Sequence, residues 1–559
     1  MIYRDMRWFT FIPVLIFFLS GCTGQTGSIE EAANSITAED LKVDVAILSS
    51  DEFEGRAPAS RGETLTIQHM TKEFRALGLK PGNGDSYLQE VPLVKITSAP
   101  DAVLSIKGKN STKTFKYGDE FVATTMRVVE EVSLDNSEMV FVGYGIVSPE
   151  YGWNDYKDLD VKGKTVIILV NDPGFATQDA ELFHGRAMTY YGRWTYKYEE
   201  AARQGAAGAL IVHETEPAAY GWDVVHNGWT GPQFYLRSED NYKTRCAVEG
   251  WITLETAQRV FNLAGLDFAG QKTKAALGDF QSASMGLTAS VALQNTIEYS
   301  ASNNIIALLP GAERPDELII YTAHWDHFGI DPTLEGDQIF NGALDNATGT
   351  AALIELAEAF TQLDSLPSRS ILFMAVTAEE QGLLGSHYYA THPIFPKTKT
   401  VAAINMDALN IYGKMKDITV IGYGQSELDD YVETEAAEQG RSVRPDPKPE
   451  RGSFYRSDHF SFAKQGIPAL YTGMGIDHVE HGEAWTLEKR DKYIAEKYHK
   501  PSDNYDPNWD LSGAVDDLRL LFKIGHRLSM EKTFPNWKEG SEFKAKRDAE
   551  MAAAQKNKE

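Results

Sequence analysis

Three short apolar runs in the second half of the chain end in the same way. Leu318 to Ala323 leads into His324-Trp325-Asp326-His327, Ile371 to Val376 into Glu379-Glu380, and Val401 to Met406 into Asp407. Apolar runs of this length, alternating with helical stretches, predict an α/β domain from Asn303 onward. In open α/β sheets ligands bind beyond the carboxyl ends of the strands. Three strands therefore deliver histidine and carboxylate side chains to one rim. Two further candidates are Asp345, just before the helical stretch Thr348 to Leu363, and His499, which opens His499-Lys500-Pro501-Ser502-Asp503.

Each of these residues has an ordinary reading when taken alone. An Asp ahead of a helix is most often an N-cap, and adjacent glutamates usually open a solvated helix. Their joint placement at successive strand ends points to a metal. Imidazole and carboxylate without thiolate suit catalytic Zn²⁺, and Co²⁺ or Mn²⁺ less well. His324, Asp345, one of the Glu379-Glu380 pair, Asp407 and His499 are more ligands than one catalytic zinc needs. Two zinc ions sharing one bridging carboxylate use all five and leave open positions for water.

The motifs His324-x-Asp326, Gly342-x-x-Asp345-Asn346-x-x-Gly349, Glu379-Glu380-x-Gly382-Leu383-Leu384-Gly385-Ser386, Asn405-Met406-Asp407 and His499-x-Pro501-x-Asp503-x-x-Asp506 resemble those of the dizinc aminopeptidase family, peptidase family M28. That family also includes glutamate carboxypeptidase II and the transferrin receptor. The resemblance covers Leu48 to about Phe534, and Leu48 to Arg56 is similar to the family's N-terminal region. It implies a zinc-exopeptidase fold: a mixed, mostly parallel sheet flanked by helices. It also implies that His324 and Asp407 hold one zinc, Glu380 and His499 the other, and that Asp345 bridges them. Glu379 is then the general base, Asp326 orients His324, and a cis peptide follows Asp345. Residues two apart in a strand share a face, which suits the pairing of Asp326 with His324. The segment Ser453 to His459 resembles a substrate-pocket segment. It makes Tyr455 the candidate hydroxyl for the developing oxyanion, with His459 in the pocket wall. His478 and His481 fall in a loop before His499 and read as lid residues.

At 559 residues the chain predicts two or three domains. Residues 120–291 resemble an inserted, β-rich protease-associated (PA) domain, marked by Gly143-Tyr144-Gly145 and Glu200 to Ala209. The zinc peptidase domain is then 36–119 joined to 292–535, followed by a charged tail over 536–559 read as a solvated helix or disordered end. Thr64 to Leu77 and Glu199 to Gly208 predict helices, and Ala209 to His213 a buried strand. Gly163-Lys164-Thr165 is like the tail of a phosphate-binding loop, but Asp158 stands where that motif needs glycine.

Residues 1–22 read as a signal peptide. Arg4 and Arg7 precede the apolar run Trp8 to Leu19, which is too short to span a membrane comfortably. Leu19-Ser20-Gly21-Cys22 resembles the bacterial lipobox, which implies cleavage before Cys22 and lipidation of that residue. Residues 23–35 are then a polar tether, and Thr23 favours the outer membrane. Cys246, the other cysteine, reads as a packed thiol. A net charge of −26 argues against nucleic acid as a partner.

The expected activity is removal of N-terminal residues from peptides. A carboxypeptidase of the same fold, a single-zinc glutaminyl cyclase-like enzyme, and a receptor-like binding protein are the alternatives. A serine hydrolase lacks its Gly-x-Ser-x-Gly, and a His-Glu-x-x-His protease lacks that string.

Overall fold

A computed structural model describes residues 24–556. The expected signal peptide, and Cys22 with it, lie outside the described residues. Among the described residues no helix is long and apolar enough to cross a membrane.

The main sheet is centred on the strand Arg314–His324, which is buried from Leu318 to its end. It pairs in parallel with Arg369–Val376 on one side and Thr400–Asn405 on the other, and Thr400–Asn405 pairs in parallel with Ala469–Gly473. Residues 305–309 join Arg369–Val376 in antiparallel fashion, and Leu88–Ser98 adds beyond them. The sheet is thus mixed with a parallel centre. Every residue of Arg369–Val376 and of Thr400–Asn405 is buried, as expected for strands covered on both faces. The register sets His324 beside Val376 and Thr322 beside Asn405. The three strands therefore stop at one edge. The helices Thr348–Thr361 and Ser512–Met530 pack on this sheet, and the first is buried along almost its whole length.

The inserted domain has its own core, including Ile167, Leu210, Ile252 and Phe261. Its centre is a parallel ladder of Glu131–Phe141, Thr165–Leu169, Gly208–His213 and Val248–Thr253. Parallel neighbours need crossover connections, and the helix Trp194–Arg203 lies in one of them. This domain is therefore α/β and not simply β-rich. It also begins earlier than residue 120. Val103–Lys107 and Thr112–Lys116 form a hairpin that pairs with residues 288–290 in the second sheet. The long strand Ala283–Leu309 serves both sheets: Gln294 pairs with Glu131, while Asn295 pairs with Ser98. The exit from the insertion thus falls at 294–295.

Two expected ends are corrected. The segment read as a polar tether contains the helix Gly24–Ser35, whose Ala32 and Ala33 are buried. The Arg519 guanidinium donates to the carbonyls of Ala33 and Ile36 at 3.1 Å each, satisfying groups that a helix end leaves open. The charged tail is anchored too. Trp537 and Phe543 are buried, Trp537 Nε1 donates to the Gly466 carbonyl at 3.0 Å, and Arg547 donates to Lys397 and Thr400 carbonyls. A helix, Lys544–Lys556, follows. Few large apolar residues stand in this tail, but those few are inserted. Cys246 is buried and unpaired, and burial pushes its thiol pKa up.

Trp537→Ala is expected to cost about 3–5 kcal/mol of stability, the usual loss for a buried tryptophan. Urea denaturation measures it; a loss near zero would return the tail to the status of a solvated appendage.

Candidate metal centre

Asp345 lies in the loop between Phe340 and the helix Thr348–Thr361. Its carboxylate turns one oxygen to each of two imidazoles: Oδ1 is 3.3 Å from His324 Nε2, and Oδ2 is 3.3 Å from His499 Nε2. Asp407 Oδ1 lies 3.5 Å from His324 Nε2, and Glu380 Oε2 lies 3.2 Å from His499 Nε2. All five residues chosen from the sequence therefore meet in one place. They fall into two groups that share Asp345, with Glu379 Oε2 4.0 Å from His324 Nε2.

Local structure explains the convergence. His324 is the last residue of its strand, and Thr350 Oγ1 donates to its carbonyl at 2.8 Å. Gly342 opens the Asp345 loop in the left-handed region, with φ 52°. A side chain there would also run into the His327 ring, so glycine is required on both counts. The Asp503 carboxylate accepts the backbone N–H groups of Leu344 and Asp345. The Asp345–Asn346 peptide is cis. Asn346 Oδ1 accepts from Gly349 N and Ala408 N, tying this loop to the one that carries Asp407. Ser457 Oγ donates to Asp407 Oδ2 at 2.6 Å and itself accepts from Asn405 Nδ2 at 2.7 Å.

Arg56 is fully buried and holds this floor together. It donates to the carbonyls of Leu48, Trp325, Asn341 and Gly342 at 2.6–2.9 Å. Burial drives its pKa down to about 10, against the pull of Asp326, Asp503, Asp345 and Glu380.

Two expectations about polar partners change. The nearest partner of His324 Nδ1 is the Asp326 backbone carbonyl at 3.2 Å, while the Asp326 carboxylate stands 3.9 Å away. That carboxylate instead accepts the N–H groups of Glu379 at 3.0 Å and Glu380 at 3.3 Å. Asp326 thus fixes the turn bearing both glutamates. Tyr455 is the larger correction. Its hydroxyl donates to Glu542 at 3.1 Å, and its ring packs on Tyr190 and Phe460. The charged tail, read from sequence as solvated, supplies that partner. Two tyrosines stand beside the five residues: Tyr498, whose ring stacks on His499 with centroids 3.7 Å apart, and Tyr471, whose hydroxyl donates to the Asp407 carbonyl at 3.4 Å. For Tyr498, its place next to His499 in the chain was the available signal. His459 is fully buried, and burial lowers its pKa to about 3. His478 and His481 stack on each other and on Trp485 at the start of the helix Gly482–Glu496.

The donor set fits divalent cations. His324, Glu379 and Asp407 bring ligand atoms within 4.8 Å of one another, and so do His324, Asp345 and Glu380. His324 Nε2 is buried without a hydrogen-bond partner, a costly state that a cation would relieve. Burial alone would raise the Asp345 carboxyl, but His324 and His499 hold it well below the usual range. Burial would lower His499, yet Glu380 and Asp345 raise it to about 10.

A proton therefore competes for His499. Below about pH 10 a cation has to displace it, so metal affinity should climb as pH rises from His499's ordinary value of 6.5. Calorimetry in buffers of different ionisation enthalpy should record proton release at pH 7. Binding without proton release would contradict this electrostatic account.

Residues 304–522 match the model of peptidase family M28. The chain is 34% identical over 128 residues to the aminopeptidase NAALADL1 of Mus musculus, which is 22% of this chain and 16% of that protein. It is 36% identical over 104 residues to a probable zinc metalloprotease of Pyrenophora tritici-repentis, 18% of this chain and 23% of that one. These alignments span less than a quarter of the relatives' lengths. The structure of an aminopeptidase from Aneurinibacillus sp. strain AM-1 superimposes with a TM-score of 0.51 at 19% identity, covering 90% of this chain and 97% of that one. The chain thus shares its fold with that aminopeptidase, and residues 304–522 are similar to peptidase family M28.

Proposed function

We propose that this chain is a two-metal zinc exopeptidase that removes N-terminal residues from peptides, exported and anchored to a bacterial membrane by lipid on Cys22. The observation that carries the two-metal reading is the Asp345 carboxylate, with one oxygen toward His324 and the other toward His499. His324 and Asp407 would hold one cation, Glu380 and His499 the second, and Asp345 both. Bound zinc supplies a Lewis acid that polarises the scissile carbonyl and acidifies water.

The remaining chemistry belongs to side chains. Glu379 reaches toward the first cation position and holds no other partner, so it is the base that takes the proton of the attacking water. Burial and the nearby Glu380, Asp458 and Asp407 raise its pKa well above the usual glutamate value, against the pull of His324. A base of raised pKa also returns its proton readily to the leaving amine. Asp326 aims this glutamate by holding its backbone. Tyr498, half-exposed beside His499, replaces Tyr455 as the hydroxyl available to the developing oxyanion. The inserted domain, read as PA-like, meets the peptidase domain through Arg186–Glu450 and Glu199–Lys464 ion pairs.

Aminoacyl chromogenic substrates and N-blocked peptides, assayed with and without chelator, test this reading. Free-amine substrates should be cleaved in a chelator-sensitive manner. Glu379→Ala should lose about 10²–10⁴ in kcat, the usual worth of a general base, with its metal content intact. Cleavage of N-blocked peptides alone would refute the aminopeptidase assignment. Tyr455→Phe should leave kcat close to wild type, and Tyr498→Phe should lower it; the reverse order would restore Tyr455 to the site.

A further inference from the structure

His327 lies next to the centre but is not among its ligands. Its Nδ1 stands 2.6 Å from Glu380 Oε1, with the two side chains 0% and 4% exposed. The contact is short without the alignment of a finished hydrogen bond, and neither atom has any other hydrogen-bonding partner. The other oxygen of Glu380 is the one that faces His499, at 3.2 Å.

The imidazole cannot swing away. Its ring lies so close to Gly342 that a Cβ there would stand 2.6 Å from it. Phe328 packs edge-on from another side at 4.9 Å, and the His327 backbone N–H donates to the Arg56 carbonyl at 3.3 Å. An imidazole held in this way sets the direction of the carboxylate it faces.

We propose that His327 is the positioning residue of Glu380: it occupies Oε1, so that Oε2 alone is presented to the cation shared with His499. The proposal rests on the two-metal reading above. It gives the tetrapeptide His324-Trp325-Asp326-His327 three separate tasks. His324 serves the first cation. Asp326 holds the backbone of Glu379 and Glu380. His327 holds the Glu380 side chain that serves the second. Partners of metal-ligating side chains typically contribute 10–100-fold in metal affinity when removed.

The test compares His327→Asn, which keeps an N–H donor near the Nδ1 position, with His327→Leu, which fills the space without one. Each full-length variant is titrated with Zn²⁺ against a competing chelator, and its metal content is measured. Thermal melting of the metal-free proteins checks folding. His327→Leu should weaken one zinc by about 10–100-fold and leave the other unchanged, and His327→Asn should recover most of the loss. Wild-type affinity at both positions in His327→Leu would overturn the proposal, as would equal losses in both variants, which would mean packing alone. If wild-type protein holds a single zinc, the two-metal reading fails separately. The positioning role then stands or falls on whether that zinc weakens in His327→Leu and recovers in His327→Asn.

Discussion

One carboxylate facing two imidazoles is the interaction on which the rest of this structure depends. Asp345 has to keep its two oxygens apart in direction, and its own side chain cannot do that. The work falls to the loop. Asp503 grips the backbone of Leu344 and Asp345, while Arg56 grips the carbonyls of Asn341 and Gly342 just before them. An acid and a base, neither of them a ligand, thus fix the loop from opposite ends. Both are almost entirely buried. Replacing either would leave buried backbone groups without partners, which costs more than a typical hydrogen bond contributes.

The site is also an electrostatic problem. Asp326, Asp345, Glu379, Glu380, Asp407, Asp458 and Asp503 crowd around His324, His499 and the buried Arg56. Burial, with a smaller push from neighbouring carboxylates, drives Asp326 and Asp458 up to about 7 against the pull of His324. Such an acid cluster gains from bound dications, whose charge offsets the mutual repulsion. Cation binding and the tightening of these loops are therefore parts of one equilibrium.

Much of this was legible in the sequence because strand ends are legible. A run of apolar residues that stops at His, Glu or Asp says where the side chain emerges, and parallel register makes the three emergences coincide. The Asp345 loop and His499 were legible through motif spacing. What escaped were roles set by orientation. Whether Asp326 turns its carboxylate to an imidazole or to two backbone N–H groups depends on χ angles that no pattern encodes. Tyr455 was misjudged because its partner, Glu542, is 87 residues away in a tail that composition made look idle. The insertion began before residue 120 because a hairpin at 103–116 alternates as well for one sheet as for the other. The helix Trp194–Arg203 began earlier than expected because no capping side chain announces it.

The strand Ala283–Leu309 belongs to both sheets. At about 3.3 Å per residue its contour approaches 90 Å, and it pairs first with Glu131–Phe141 and finally with Arg369–Val376. The latter strand leads directly to Glu379. A push on the inserted domain is therefore not absorbed by a linker. It passes into a strand whose far end is laddered to Arg369–Val376, three residues short of Glu379, so the two sheets are mechanically coupled through one stretch of backbone.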